Sequence, residues 1–150
     1  MAPVDVTIDL DAPPEKVFAF LLDMEQTPAW VTICRAVLDV DPGAPKPGWR
    51  CKQRYVLRGA PFVVTWTLEQ LRPNQHISWS GRGPARSKAS IQEDLSPLPD
   101  GATQLRYRNE FSAPGGLLGV AASRALVGDT AEQEAIRSLD RLADLLAAQT

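Results

Sequence analysis

The chain has one histidine, His76, and two cysteines, Cys34 and Cys51, among 150 residues. A histidine-built metal centre needs more imidazoles than that, and a Ser-His-Asp triad has a single candidate base. The cysteines show no metal-ligand spacing. Neither a P-loop nor a G-x-G-x-x-G fingerprint is present, and Gly81-Arg82-Gly83-Pro84 reads as a turn rather than a phosphate cradle. No metal or nucleotide cofactor is implied. No apolar run approaches the roughly 20 residues that span a bilayer, so no stable membrane insertion is expected. The opening MAPVDVTIDLDAP carries acids and lacks a basic segment before an apolar core. It is not a secretory signal, and a cytoplasmic location is expected. Charge of one sign is lacking too: a net charge of −2 offers nucleic acid no basic footprint. Repeats, linkers and low-complexity stretches are absent, which leaves one domain over residues 1–150.

What is present is an ordinary globular composition, 44% apolar and 23% charged, in a chain long enough to bury a core. Val4, Val6, Ile8 and Leu10 alternate with Asp5, Thr7 and Asp9, which predicts a half-buried strand. Asp11-Ala12-Pro13-Pro14 then opens a helix, with Asp11 as its expected cap, Val17, Phe18, Leu21 and Met24 as its apolar face, and Pro28 as its stop. Residues 32–39 read as a short helix running into a strand, and Asp41–Gly48 as a loop by composition. From Trp49 to Phe111 the chain alternates at hairpin spacing. Trp49, Cys51, Gln53, Tyr55 and Leu57 share one face; so do Val64, Trp66 and Leu68, Ile77 and Trp79, Ala89, Ile91, Glu93 and Leu95, and Thr103, Leu105, Tyr107, Asn109 and Phe111. A charged opposite face means a sheet wet on one side and covered on the other. His76 falls on the wet side and is expected at the surface.

The cover is a long proline-free segment from about Gly116 to Ala148 with apolar residues at helical spacing. One stripe holds Leu117, Leu118, Ala121, Ala125, Gly128, Glu132, Ala135, Ile136, Leu139, Leu142, Ala143 and Leu146. Its second half is bulky. Its first half is small and ends in a carboxylate, where tight packing on a sheet would favour Leu and Ile. That face is expected to look into a cavity, with Gly128 and Glu132 on its wall and Asp129 at its mouth.

Asp11-Ala-Pro-Pro-Glu-Lys-Val-Phe, Trp30 after the first helix, Pro47-Gly48-Trp49-Arg50, Trp66-Thr-Leu-Glu and Asp100-Gly-Ala-Thr-Gln-Leu occur in the order found in one group of proteins. With them the chain resembles the START/Bet v1-like (SRPBCC) superfamily, in its polyketide cyclase/dehydrase and lipid-transport branch. The resemblance implies an α+β helix-grip fold: a curved antiparallel sheet of about seven strands wrapped around a long C-terminal helix, with short helices after strand 1. It also implies a deep hydrophobic cavity between sheet and helix. It carries over no catalytic motif, because a fold does not name a reaction.

Polar residues on the inward strand faces are the candidate site. Glu132, Tyr107 and Asn109 are the candidate catalytic groups, and Gln53, Tyr55, Trp66, Trp79, Glu93 and Gly128 the candidate ligand contacts. A buried carboxylate shifts its pKa upward, finds a partner or sits in water. Glu132 is therefore read as a cavity acid with a raised pKa, or else as a structural partner of an inward Tyr or Arg. Tyr55, Tyr107, Trp66 and Trp79 serve equally as core aromatics. Asn109 needs a ligand, a water or a backbone partner. Arg50, Lys52, Arg54, Arg58, Arg106 and Arg108 point outward, either as a solvated face or as a surface for an acidic partner such as an acyl carrier protein.

Three functions remain open. The first is a cavity that binds a polyketide-like, polycyclic or acyl molecule, with cyclase, aromatase or dehydratase chemistry that needs no cofactor. The second is a non-catalytic lipid, quinone or pigment carrier. The third is a protein-interaction module. The first two need a cavity of roughly 300 Å³ or more, and the third predicts one that is collapsed or filled by side chains. Monomer and homodimer are both open.

Overall fold

The computed structural model describes residues 4–57, 59–112 and 128–149, with the backbone alone for 128–130. Seven strands form one antiparallel sheet in the order β1-β7-β6-β5-β4-β3-β2. They are β1 (Val4–Leu10), β2 (Cys34–Val40), β3 (Arg50–Leu57), β4 (Ala60–Arg72), β5 (His76–Arg82), β6 (Lys88–Pro97) and β7 (Thr103–Ser112). From β2 to β7 each strand pairs with the next in sequence, and β1 closes onto β7. The alternation follows from the period of two: Cys51, Gln53, Tyr55 and Leu57 are buried while Arg50, Lys52 and Arg54 are exposed. In β4 a bulge lies between Leu68 and Gln70. It reverses the phase, so Leu71 pairs with Ile77 while Arg72 comes opposite His76 on the other face.

Between β1 and β2 lie α1 (Pro14–Leu22), a single 3₁₀ turn (Met24–Gln26) and α2 (Thr27–Trp30). The expected Asp11 cap is not made. Pro13 holds the N-cap position and no side chain caps the helix. Pro14 needs no partner for a missing N–H, and Lys16 and Val17 donate their amides to the Pro13 carbonyl at 3.0 and 3.1 Å. Pro28 likewise lies in the first turn of α2, where proline fits, instead of stopping α1. Residues 34–40 are strand throughout.

The last helix, α3 (Gly128–Ala148), lies against β1 and α2. Leu139, Leu142 and Leu146 are fully buried and join the cluster that includes Leu10, Val17, Leu68, Ile77 and Leu105. A side chain of that size contributes roughly 1.5–3 kcal/mol when fully buried, so this half of the helix is anchored by packing. Lys16 ties its end down by donating to the Gln149 carbonyl at 2.9 Å. The curved sheet around this helix is the helix-grip arrangement that the resemblance implied. The expected small-residue segment 116–127, with Leu117, Leu118, Ala121 and Ala125, lies outside the described residues.

Candidate functional site

A cavity of about 290 Å³ opens between the inner sheet face, α2 and α3. That is the lower boundary of the volumes at which small-molecule pockets are found, and equals roughly ten waters of liquid volume. Its wall is mainly apolar, with Trp30, Phe62, Val64, Ile91, Phe111 and Leu139 among its side chains. Seven of the nine candidate site residues line it: Gln53, Tyr55, Trp66, Trp79, Glu93, Tyr107 and Asn109. They divide into two groups with different chemistry.

The first group, on β3 and β4, is self-satisfied. Trp66 Nε1–H donates to the Tyr55 hydroxyl at 2.6 Å, Tyr55 donates to Gln53 Oε1, and Gln53 Nε2 reaches Met24 Sδ at 3.8 Å. The Tyr55 ring stacks on Phe62 with centroids 5.5 Å apart. Burial, with the Cys34 thiol adding to it, drives the Tyr55 hydroxyl well above its usual pKa against the pull of the Trp66 bond. Tyr55 therefore stays a neutral phenol whose donor and acceptor are both in use.

The second group, on β6 and β7, keeps hydrogen-bonding capacity to spare. Glu93, 3% exposed, has no cationic partner among the described residues. Burial pushes its pKa up to about 8, while a side-chain hydrogen bond with Trp79 pulls it down. At neutral pH the acid is mostly protonated and can donate. Tyr107 is its cross-strand partner. Burial, and then the Glu93 charge, raise the Tyr107 pKa, and Asn109 Nδ2 donates to its oxygen at 3.3 Å. Among the described residues no acceptor takes the Tyr107 hydroxyl proton. A neutral acid and a neutral phenol side by side can polarise or protonate a carbonyl or hydroxyl oxygen presented from the cavity.

Glu132 is not in this site. It is exposed, because α3 is rolled so that its other edge meets the cavity. Ile136, on the Glu132 edge, is 41% exposed as well. The acid on the cavity side is Glu134, about 200° around the helix from Glu132. Its carboxylate accepts the Thr32 hydroxyl and meets Arg137 Nη1 at 3.2 Å. Ser138 Oγ, one turn on, accepts the Thr32 amide at 3.0 Å. Counting back in fours from the buried Leu142 reaches Ser138 and Glu134, and from Leu139 reaches Ala135 and Ala131, all of which line the cavity. That signal was in the sequence, but including Ile136 in the stripe turned the helix the wrong way. Gly128 is the first residue of α3; its side and that of Asp129 fall outside the described burial.

His76 is also a correction: it is 6% exposed, although it lies on the outer face as the alternation requires. Alternation fixes the face and not the depth, and here Asp94 shields the ring by bonding Nδ1 at 2.6 Å. Cys34 and Cys51 are buried and unpaired, and burial lifts their thiols to about 11 and about 12, which removes them as nucleophiles at neutral pH. Among the described residues no three His, Cys, Asp or Glu side chains gather as a metal site, and no helix is long and apolar enough to cross a membrane.

This geometry has relatives. Toxin Rv0910 of Mycobacterium tuberculosis (strain H37Rv) is 22% identical over 134 residues, which are 88% of this chain and 92% of that protein. The Zhui aromatase/cyclase from Streptomyces sp. R1128 superposes with a TM-score of 0.81 at 16% identity, over 97% of this chain and 93% of that one. TTHA0849 from Thermus thermophilus gives 0.79 at 16% identity, over 99% of each chain. At such identities the superpositions show a shared fold. The model of the family described as polyketide cyclase/dehydrase and lipid transport matches residues 1–147, which supports a role in binding a hydrophobic ligand. From its first strand to the end of its last helix, the chain belongs to the polyketide cyclase/dehydrase and lipid transport family.

Proposed function

We propose that the cavity takes a small polyketide-like or polycyclic molecule and acts on it as a cyclase, aromatase or dehydratase that needs no cofactor. The apolar body of the molecule lies along Trp66, Phe62 and Ile91, and one ketone, enol or phenol oxygen points at Glu93 and Tyr107. The observation that carries this reading is the pairing of a neutral buried acid with a neutral phenol on the wall of an apolar cavity. Folding a reactive chain against a shaped wall lowers the entropy of ring closure, and a positioned donor assists the departure of water or the formation of an enol. Tyr107 and Glu93 donate, and Asn109 positions the Tyr107 oxygen. An acyl carrier protein delivering such a substrate would meet the exposed Arg50, Lys52 and Arg54 on the outer face of β3.

The test is native mass spectrometry of the protein purified from its own host, with extraction of what is bound. The precursor of that molecule is then incubated with wild type, Glu93→Gln and Tyr107→Phe. A bound aromatic or polyketide-like compound, with turnover reduced at least tenfold in both variants, is the expected result. Binding without turnover in wild type would make the protein a carrier and overturn the catalytic part of the proposal.

A further inference from the structure

The cavity is neutral at its inner end and cationic at its rim. Among the described residues three charged side chains line it: Lys88, Glu93 and Glu134. Glu93 is mostly protonated at neutral pH, and Glu134 is engaged by Thr32 and Arg137. Lys88 is the first residue of β6. Alternation assigns it to the outer face, but at the strand end it also meets the cavity, beside Gly83, Pro84, Ala85 and Ser87 of the β5–β6 turn. That turn is the rim.

Strand register gathers further cations there. Arg82, the last residue of β5, stands directly opposite Lys88. Direct cross-strand partners lie roughly 4.5–5.5 Å apart at Cβ, and like charges in that position repel. Their other neighbours in the row are uncharged: Thr65 is opposite Arg82 on β4, and Ser112 is opposite Lys88 on β7. Glu110 lies one diagonal step away, opposite Ser90. The turn adds a third cation, Arg86, in left-handed backbone at a φ of 62° beside Ala85 at 55°. Two successive residues with a Cβ in that region are the kind of strain found where a loop serves a ligand. Arg82, Arg86 and Lys88 are all exposed, and none makes an ion pair among the described residues, Glu110 included.

Resting on the cavity as the ligand site, we propose that its ligand is an elongated amphipathic anion, whose apolar body fills the cavity and whose carboxylate or phosphate-ester end stays at the rim between Lys88 and Arg82. An anion there relieves the repulsion of the facing pair, which a neutral molecule would leave in place. The length follows from β6: from Lys88 to Glu93 an extended strand rises roughly 17 Å. A cavity of about 290 Å³ drawn out over such a distance is narrow and suits a long molecule better than a compact one. The charged end keeps its contact with water, so the cost of burying it is avoided, while the far end brings an uncharged oxygen to Glu93 and Tyr107. The two ends of the site thus set the direction in which the molecule enters.

Decanoate, decyl phosphate and decan-1-ol share one chain and differ only in the head group. Each is used to displace the neutral dye N-phenylnaphthylamine from wild type, Lys88→Gln and Arg82→Gln at low ionic strength. Arg141→Gln, on α3 and away from the cavity, removes one charge elsewhere as a control. All three positions are exposed, so the variants are expected to fold. The expected result is that Lys88→Gln and Arg82→Gln each weaken at least one anion at least threefold and decan-1-ol by less than twofold, with the difference lost in high chloride. The anion that is weakened more assigns the head group as carboxylate or phosphate ester, and either supports the proposal. An equal loss for decan-1-ol, an equal loss in Arg141→Gln, no loss for either anion, or no displacement by either anion overturns it. The dye separates this inference from the cavity reading: dye that binds without any such discrimination overturns the anionic ligand alone, whereas a protein that binds no dye overturns both.

Discussion

Glu93 and Tyr107 face each other directly across the β6–β7 ladder, with both side chains on the cavity wall. Direct cross-strand partners in an antiparallel pair lie roughly 4.5–5.5 Å apart at Cβ, so neither group can change its charge without the other sensing it. Burial already disfavours the Glu93 carboxylate, and its charge adds to the forces that keep Tyr107 protonated.

The Glu93 pKa is about 8 in the folded protein against an ordinary 4.5. Between those values the native state holds a proton that the unfolded chain has released. Stability is therefore fully present below the ordinary pKa and falls as the pH rises through the window, by at most about 1.4 kcal/mol per pH unit. Glu93→Gln removes this slope. Urea denaturation at pH 5 and pH 8 is expected to show wild type losing on the order of a few kcal/mol more than the variant. Equal losses in the two proteins would mean that Glu93 ionises normally.

The Trp66–Tyr55–Gln53 relay leads to a prediction about coupling. Tyr55→Phe strips the partner from both the Trp66 N–H and the Gln53 carbonyl in an apolar wall. Unsatisfied buried groups cost about 1–3 kcal/mol each, so a loss of about 2 kcal/mol or more is expected. Adding Gln53→Leu removes one of the stranded groups, so the double variant is expected to lose less than the sum of the singles. Additive losses in a double-mutant cycle would rule out the relay.

Gly81 stands opposite Trp66, whose ring lines the cavity. A Cβ at this position would lie 2.7 Å from the Trp66 ring and 3.0 Å from Val64 Cγ1. Real side chains do not approach so closely, so the indole of Gly81→Ala must move toward the cavity. The substitution is expected to cost about 1–3 kcal/mol by overpacking and to reduce the affinity of a neutral apolar dye such as N-phenylnaphthylamine. Undiminished dye binding would show that Trp66 does not bound the space the dye occupies.

How well the sequence could be read depended on how many residues voted on each feature. The sheet faces rested on long runs with a period of two, so that even the polar members Gln53, Glu93 and Asn109 could be assigned to the inner side. A bulge interrupts such a run without any compositional mark, and the one before Gln70 is what carries Arg72 to the outer face. Helix α3 was harder, because in its first half Ala131 and Ala135 are small and carry little directional weight. One bulky residue, Ile136, then outvoted them and brought Glu132 inward in place of Glu134. The depth of His76 could not be read at all: it depends on Asp94, eighteen residues away in sequence and on a neighbouring strand. For the same reason the raised pKa of Glu93 follows from its burial, which only the packed structure displays.

The roll of α3 can be checked by comparing its two edges. Glu132 is solvent-exposed, so Glu132→Gln is expected to change stability by no more than about 0.5 kcal/mol and to leave dye binding in the cavity unaltered. Ser138 is buried and accepts the Thr32 amide, and Thr32 also donates its hydroxyl to Glu134. Ser138→Ala therefore strands a backbone donor where α3 meets the chain entering β2, at a cost of about 1–3 kcal/mol. That junction borders the cavity through Val31, Ile33 and Glu134, so loosening it is also expected to weaken dye binding. The decisive measurement is the pair of variants side by side, in thermal unfolding and in dye titration. A Glu132→Gln effect larger than that of Ser138→Ala would mean that the helix presents its other edge to the cavity, and Glu132 would then return as the candidate acid.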